Sequence, residues 1–447
     1  MQPRLIPAIC VVVLLLGSGG PSAQDAPPSA GFGRAWDTEH LPLPQPPLLR
    51  HEDVVEALER VRRNAPDLIR VEQIGASVEG RAINHVWLGR GSLKVLLWSQ
   101  MHGDEPTATV ALLDVLEFIR RHREEPLVVE LLERLEIHIV PMLNPDGAAR
   151  FQRRNAQGID INRDALLLQS PEGRALKALR DRIEPSIGFN LHNQNWRTSV
   201  GKTPQAATIS LLAVSFDEAR SDNAGRVLTK KVCAVLRDAL EPFIPGGIGR
   251  YDDAFEPRAF GDNLTKWGTS VVLMETGAYP GPDPDRTLVR INFIGLLSAL
   301  HALASGQADR ADPKRYESLP MNDSSLLHTV ITNATIVTGT GVPPFTGDIG
   351  IVANRIIRTV DGQRTVGFTA RIEDLGDLRV YGALERIDAT GLTAVPLRQP
   401  DLKVGDTIEL EDQSAGPSLA VGQPAAVALL ERETSGRYIV ERIVKVE

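Results

Sequence analysis

Apolar and polar positions follow two periods along this chain. Over residues 52–63, Val54, Val55, Leu58 and Val61 recur at helical spacing and predict a short amphipathic helix. Residues 70–74 and 82–88 read as strands on either side of ASVEGR, where Gly80 suits a turn. The run 95–98 predicts a buried strand, and Pro106 followed by apolar residues at helical spacing marks a helix start. Further strands are expected at 135–140, 187–191, 207–216 and 271–274. Charge alternates with apolar positions at helical spacing over 221–240, and 288–303 is apolar enough to be a buried closing helix. Strands alternating with helices over 70–303 predict an α/β domain on a mixed, mostly parallel sheet with helices on both faces.

Outside that block the pattern changes. The first residues carry one arginine, an apolar run over 9–16 and small residues ending near Ala23, the features of a secretory signal peptide over 1–23. The run is too short for a bilayer, so no stable membrane span is expected after cleavage, a retained anchor being the alternative. Residues 24–50 are proline-rich and aperiodic, and are expected as an extended leader packed on the surface. After the α/β block, taken as a domain over 51–304, residues 305–325 are polar, charged and proline-bearing, which reads as a linker. Short β-branched runs broken by glycine and proline then predict a small all-β sandwich over 326–447.

Length and charge narrow the function. A chain of 447 residues exceeds what one core usually supports, which agrees with two domains. With 49 basic against 57 acidic residues and no basic run interleaved with aromatics, nucleic acid is not an expected partner. Cys10 lies inside the signal segment, so Cys233 alone remains after export and no internal disulfide can form. The expected location is secreted or periplasmic, and a Gram-negative periplasm fits best.

The chemistry gathers at strand ends. His102 and Glu105 follow the 95–98 strand, His192 follows 187–191, and Glu275 follows 271–274. Open α/β sheets place ligands at the carboxyl ends of neighbouring strands, so these residues can converge. His-x-x-Glu alone is weak, since His122 and Glu125 repeat it in the charge-dense stretch RRHREE, which reads as solvated surface. Two imidazoles and a carboxylate (His102, Glu105, His192) give zinc three ligands and one open position, which marks a catalytic site. Glu275 can act as acid and base, and is equally compatible with a strand-end glutamate facing solvent. Asn162 beside Arg163 suits a two-bond grip on a carboxylate, although residues 151–165 also fit a solvated loop. Asn144-Pro145-Asp146-Gly147 is turn chemistry, and His138, flanked by Ile137 and Ile139, is taken as structural.

Taken together, His102-x-x-Glu105, NPDG, Arg153 ahead of GIDINR, His192 and Glu275 in MET-G resemble, in order and approximate spacing, the zinc carboxypeptidases, the carboxypeptidase A-like metallopeptidases. The resemblance covers roughly 52–303. It implies one zinc per chain on His102, Glu105 and His192, with Glu275 as general base and then acid. Arg153 matches the arginine that stabilises the oxyanion, with Arg154 as the fallback. Asn162 and Arg163 match the pair that holds the substrate's terminal carboxylate, and Asp160 matches the aspartate that orients a zinc histidine. Tyr251 is the candidate for the mobile substrate-capping tyrosine, though a few residues off the expected distance from Glu275. Asp262 matches an aspartate that follows the floor of the specificity pocket, which places Gly261 at the floor. His192 is followed by Asn-Gln-Asn instead of the Ser-Tyr of the digestive enzymes, so the neighbouring subsites are expected to differ.

A second resemblance lies in the tail. Residues 331–357, 386–396 and 421–431 are similar to the β-sandwich strands that flank the barrel of amidohydrolases, but no His-x-His pair and no barrel-sized insertion follows Pro396. With His328 as its one histidine and no cysteine, this part is not expected to hold a catalytic transition metal. The expected function is an exported zinc metallocarboxypeptidase that uses zinc-activated water on a peptide or peptide-like substrate with a free carboxylate. A cell-wall peptide amidase or N-acyl amino acid deacylase on the same zinc site, and a non-catalytic binding protein retaining the fold, are the alternatives.

Overall fold

The computed structural model describes residues 28–338, 342–410 and 418–446, so the expected signal segment lies outside the described residues. In chain order its first strands are β1 (Arg70–Ala76), β2 (Ala82–Gly89), β3 (Leu93–Ser99), β4 (Leu135–Val140), β5 (Ile187–Asn193), β6 (Ser199–Val200), β7 (Ile209–Ala213), β8 (Ile248–Arg250) and β9 (Ser270–Thr276). All but β6 join one sheet in the order β1-β2-β4-β3-β5-β9-β7-β8. Its centre, β4-β3-β5-β9, is parallel, while β1-β2, β2-β4 and β9-β7 are antiparallel.

Alternation along β3 explains the layers. Val95 and Leu97 face one core, Leu96 and Trp98 the other, and all four are fully buried. The run is apolar on both sides because helices cover both. One face packs against α1 (Pro28–Glu39), α2 (His51–Asn64), α3 (Thr107–Arg121) and the Pro284–Ala304 helix. The other packs against the Pro171–Ile183 and Phe260–Lys266 helices. Pro284–Ala304 is long and apolar enough to cross a membrane, yet 78% of its most apolar window is buried against the protein, so it serves here as the closing core helix.

Three segments differ from the sequence reading. The leader is not extended throughout: Pro28 opens α1, and the residues after it up to Glu39 contain no further proline to interrupt the helix. Phe32 and Trp36, one helical turn apart, are buried there. The NPDG turn begins a short helix, Pro145–Arg150, with Asn144 Oδ1 accepting the Gly147 N–H at 2.9 Å and Pro145 in the first turn. Residues 305–325 form two short helices pinned by buried Tyr316 and Leu319, whose polar neighbours hide the anchors in the sequence. From there β10 (Asn322–Asp323) pairs with β6.

The remaining strands are β11 (Leu326–Ile336), β12 (Phe345–Val360), β13 (Gln363–Gly376), β14 (Gly382–Asp388), β15 (Thr393–Pro396), β16 (Thr407–Ile408), β17 (Ala426–Arg432) and β18 (Tyr438–Lys445). They make a second sheet in the order β13-β12-β11-β15-β17-β18-β16, with β14 beside β11. It folds back on itself, since Ile372 of β13 exchanges 2.8 Å backbone bonds with Gln423 and Gly422 just before β17. Ile331, Ile349, Ile372 and Val427 form the core enclosed in this way.

Asp114 ties the leader to α3. Its carboxyl accepts the Trp36 indole N–H and the Leu41 backbone N–H, both at 2.8 Å and buried. Asp114→Ala leaves both donors without a partner, at a cost of about 2 kcal/mol, and is expected to lower Tm by several degrees. An unchanged Tm in differential scanning calorimetry would show that the leader does not contribute.

Candidate active site

The central strands β3, β5 and β9 run parallel and adjacent, so their carboxyl ends open on one edge. His192 and Glu275 are direct partners across β5 and β9. The chain leaves β3 through buried Gln100, a non-glycine in the left-handed region (φ 50°). Its amide is fixed at both ends, donating to Gly103 O at 3.0 Å and accepting from the Thr109 hydroxyl at 2.9 Å. Gly103 then passes against the NPDG segment so closely that a Cβ there would stand 2.0 Å from the Gly147 carbonyl carbon. Asn144 Nδ2 donates to Met101 O at 3.2 Å and Arg153 O at 3.3 Å, tying the His102 loop to the Arg153 loop.

Three buried side chains converge there. Glu105 stands between two imidazoles, Oε1 lying 2.8 Å from His102 Nδ1 and Oε2 2.7 Å from His192 Nδ1. One donor atom from each residue lies within 4.8 Å of the others. Asp160 Oδ1 sits 3.2 Å from His102 Nε2 and so orients that ring from behind. Burial opposes charge on Glu105, but the two imidazoles hold its carboxyl well below the usual carboxylate range. Burial also opposes charge on His102, and Glu105 and Asp160 outweigh it, raising that ring to about 9. His192 is pushed down by its burial. The carboxylates thus favour positive charge at this buried point, and two imidazole nitrogens and a carboxylate around it fit a divalent metal of the zinc kind.

The rest of the expected site surrounds this group. A cavity of about 210 Å³ is lined by His102, Glu105 and His192 together with Arg153, Asn162, Arg163, Tyr251 and Glu275. Glu275 Oε2 is buried without a partner, and burial followed by repulsion from Glu105 pushes its carboxyl up to about 8. Arg153 rests Nε on Asp160 Oδ2 at 3.0 Å and brings Nη1 to 3.6 Å from Glu105 Oε1. The Asn162 amide is held by its own Oδ1, which accepts the Phe260 N–H at 2.9 Å, and its Nδ2 comes within 3.5 Å of His192 Nε2. Arg163 Nε faces Glu256 Oε2 at 3.4 Å. The Tyr251 hydroxyl is raised to about 12, mainly by the charge of Glu275 and then by burial.

Gly261 is not brought to the cavity wall. It lies buried in the first turn of Phe260–Lys266, where a Cβ would stand 3.4 Å from Asn190 Nδ2. Leu212, Ser215, Ala259, Asp262 and Leu273 line that end instead, with the Asp262 carboxyl pushed up to about 6 by burial. Glu256 and Asn193 were missed because neither sits in a pattern that distinguishes it from loop polarity. Arg154, the fallback for Arg153, turns away to bond Gly158 O at 3.0 Å. The repeated motif confirms how weak spacing is: His122 bonds Glu125 and Glu39, both at 2.7 Å, and no third ligand joins them among the described residues.

Removing the support behind His102 by Asp160→Ala is expected to weaken metal binding about 10- to 100-fold in competition with a chelator, whereas His122→Ala leaves it unchanged. Equal affinity in Asp160→Ala and the parent protein would deny Asp160 that orienting role.

Comparison with known proteins places this geometry. The family model of zinc carboxypeptidases matches residues 54–203, a span that holds the His-Glu-His group, Arg153, Asp160, Asn162 and Arg163 but stops before Tyr251 and Glu275. Carboxypeptidase 2 of Trichophyton tonsurans is 29% identical over 171 residues, covering 35% of this chain and 31% of that protein. The carboxypeptidase N catalytic chain of Homo sapiens is 33% identical over 140 residues, covering 26% of this chain and 30% of that one. A solved metallo-carboxypeptidase from Burkholderia cenocepacia aligns with 57% of this chain and 69% of its own at 19% identity and a TM-score of 0.47. The chain spans about a third of the length of the curated relatives it matches. The span that matches the zinc carboxypeptidase family model, residues 54–203, is thus the one that carries the metal-binding group in the geometry described above.

Proposed function

We propose that this protein is an exported zinc metallocarboxypeptidase that hydrolyses the amide bond next to a free C-terminal carboxylate. The observation that carries the reading is the single cavity on which the His102-Glu105-His192 group, unpartnered Glu275, Arg153 and the Asn162-Arg163 pair all open. Binding alone calls for neither a buried acid-base carboxyl nor a guanidinium beside the metal group, so this set favours catalysis over a retained binding fold. Export rests on the sequence of residues 1–23. The catalytic unit is taken as 51–304, and α1 packs onto it.

A zinc ion held by His102, Glu105 and His192 would supply Lewis acidity to the attacking water and the scissile carbonyl. Glu275, with its carboxyl near neutrality, takes the proton of that water on Oε2 and delivers it to the leaving nitrogen. Arg153 is braced by Asp160, so its free guanidinium edge donates to the carbonyl oxygen as negative charge develops there. Asn162 and Arg163 grip the terminal carboxylate, which competes with Glu256 for the guanidinium. Tyr251, which lines the same cavity, closes over the bound residue.

Peptides with free and amidated C-termini test this directly. The zinc-loaded protein is expected to release the last residue only from the free-ended set, and Glu275→Gln to lower kcat about 10²- to 10⁴-fold. The Asn162→Ala, Arg163→Ala double variant should lose its preference for the free carboxylate. Equal loss on blocked and free substrates would contradict the carboxypeptidase reading. Bound zinc without cleavage of any peptide would transfer the proposal to a cell-wall peptide amidase or an N-acyl amino acid deacylase.

A further inference from the structure

A second and larger cavity, about 460 Å³, adjoins the first. The two share Glu105, Arg153, Asn193, Gln194 and Asn195, so they meet at the metal group. Asn162 and Arg163 line only the smaller one. A substrate whose terminal carboxylate is held by that pair and whose scissile bond lies at the metal group must send its acyl side into the larger cavity.

The outer wall of this larger cavity comes from the C-terminal sheet, through His328 of β11, Ala353, Asn354 and Arg355 of β12, Phe368 of β13 and Leu384 of β14. The His328 ring stands edge-on to both Trp196 and Phe368, with centroids 5.8 Å apart in each pair. Arg355 lies over Phe368 at 5.9 Å, and its charge is met by Asp285 at 2.8 Å. The wall is therefore mainly aromatic and apolar, and the charge of its Arg355 is paired. Trp196 belongs to the loop that leaves β5 after Asn193, the neighbour of His192, and it packs against Leu327, Val330, Val352 and Leu378 of the C-terminal part. Arg197 of the same loop donates to Glu373 at 2.8 Å. The sheet is thus fastened to the strand end that carries a metal-binding histidine.

Among the buried polar atoms there without a partner, one belongs to a residue that lines both cavities. Asn193 Nδ2 donates to the Thr107 hydroxyl at 2.8 Å, which leaves its buried Oδ1 as an acceptor with nothing to accept. A buried acceptor without a donor costs stability unless a ligand supplies one, and a peptide N–H is such a donor.

We propose that the C-terminal sheet is a working wall of the substrate cleft, in which Phe368 and His328 with Trp196 form a subsite for an uncharged aromatic or apolar acyl side while Asn193 Oδ1 accepts a backbone N–H. The inference rests on the carboxypeptidase reading for the direction in which substrate lies. It gives the C-terminal part a role in selecting substrates by what precedes the cleaved bond.

The test compares matched substrates that share one C-terminal residue, acetyl-glycyl on the acyl side of one and benzyloxycarbonyl-triglycyl on that of the other. Phe368→Ala is expected to lower the long-to-short ratio of kcat/KM on the order of tenfold, carried by KM. Asn354→Trp, at an exposed strand position that tolerates an aromatic, fills the groove and should lower the same ratio without removing any core contact. Calorimetric titration of the long substrate into zinc-loaded Glu275→Gln protein, with and without each change, reads the same loss as about tenfold weaker binding. A ratio and an affinity within twofold of the parent in both variants would overturn the subsite. If the parent protein cleaves neither substrate, the carboxypeptidase reading fails, and the titration still decides whether this wall binds an acyl peptide.

Discussion

Everything at the site depends on one buried carboxylate shared by two imidazoles. Glu105 is favoured as the ionised form in the interior because His102 and His192 both point a nitrogen at it, one ring from the loop that follows β3 and the other from β5. Burying a charge without such partners is costly, so the parallel register of β3 and β5 is what makes the group possible. The same register extends to β9, where Glu275 faces His192 across the pair. Sheet topology thus sets the chemistry, and the helices on both faces keep the three strands in place.

The surrounding charges divide into acids that are satisfied and one that is not. Glu105 and Asp160 are held well below the usual carboxylate range by imidazoles and by Arg153. Glu275 has no such partner and is pushed the other way by burial and by Glu105. Two kinds of carboxyl therefore sit within one cavity, one suited to holding a cation and one suited to exchanging a proton. The close packing of Gly103 against Gly147 and the Asn144 bonds to two loops hold this contrast in place without help from a disulfide, since Cys233 is buried and free.

Much of this was legible in the sequence because it lies on strands and helices with strong periodicity. The strands at 135–140 and 82–88 and the closing helix follow their apolar patterns closely, and His102, Glu105, His192 and Glu275 could be placed at strand ends. Long-range packing was not legible. Trp36 and Phe32 looked like part of an aperiodic leader because the partners that order them, Asp114 and Phe118, lie some eighty residues away. Tyr316 and Leu319 looked like linker because two apolar residues among charges give no period. Gly261 was placed at the pocket floor by resemblance alone, and its helix turns it inward instead. The wall that the C-terminal sheet contributes could not be seen either, because it depends on how two separately patterned parts meet at Trp196.

The central claim is that the ends of β3 and β5 together hold one metal ion, with Glu275 of β9 beside it. Diffraction from crystals of the zinc-loaded protein, collected on both sides of the zinc absorption edge, tests it most directly. A single anomalous peak is expected, bounded by His102 Nδ1, Glu105 and His192 Nδ1, with Glu275 near the ion but not bound to it. A peak elsewhere, or a fully soaked crystal with none at this position, would contradict it.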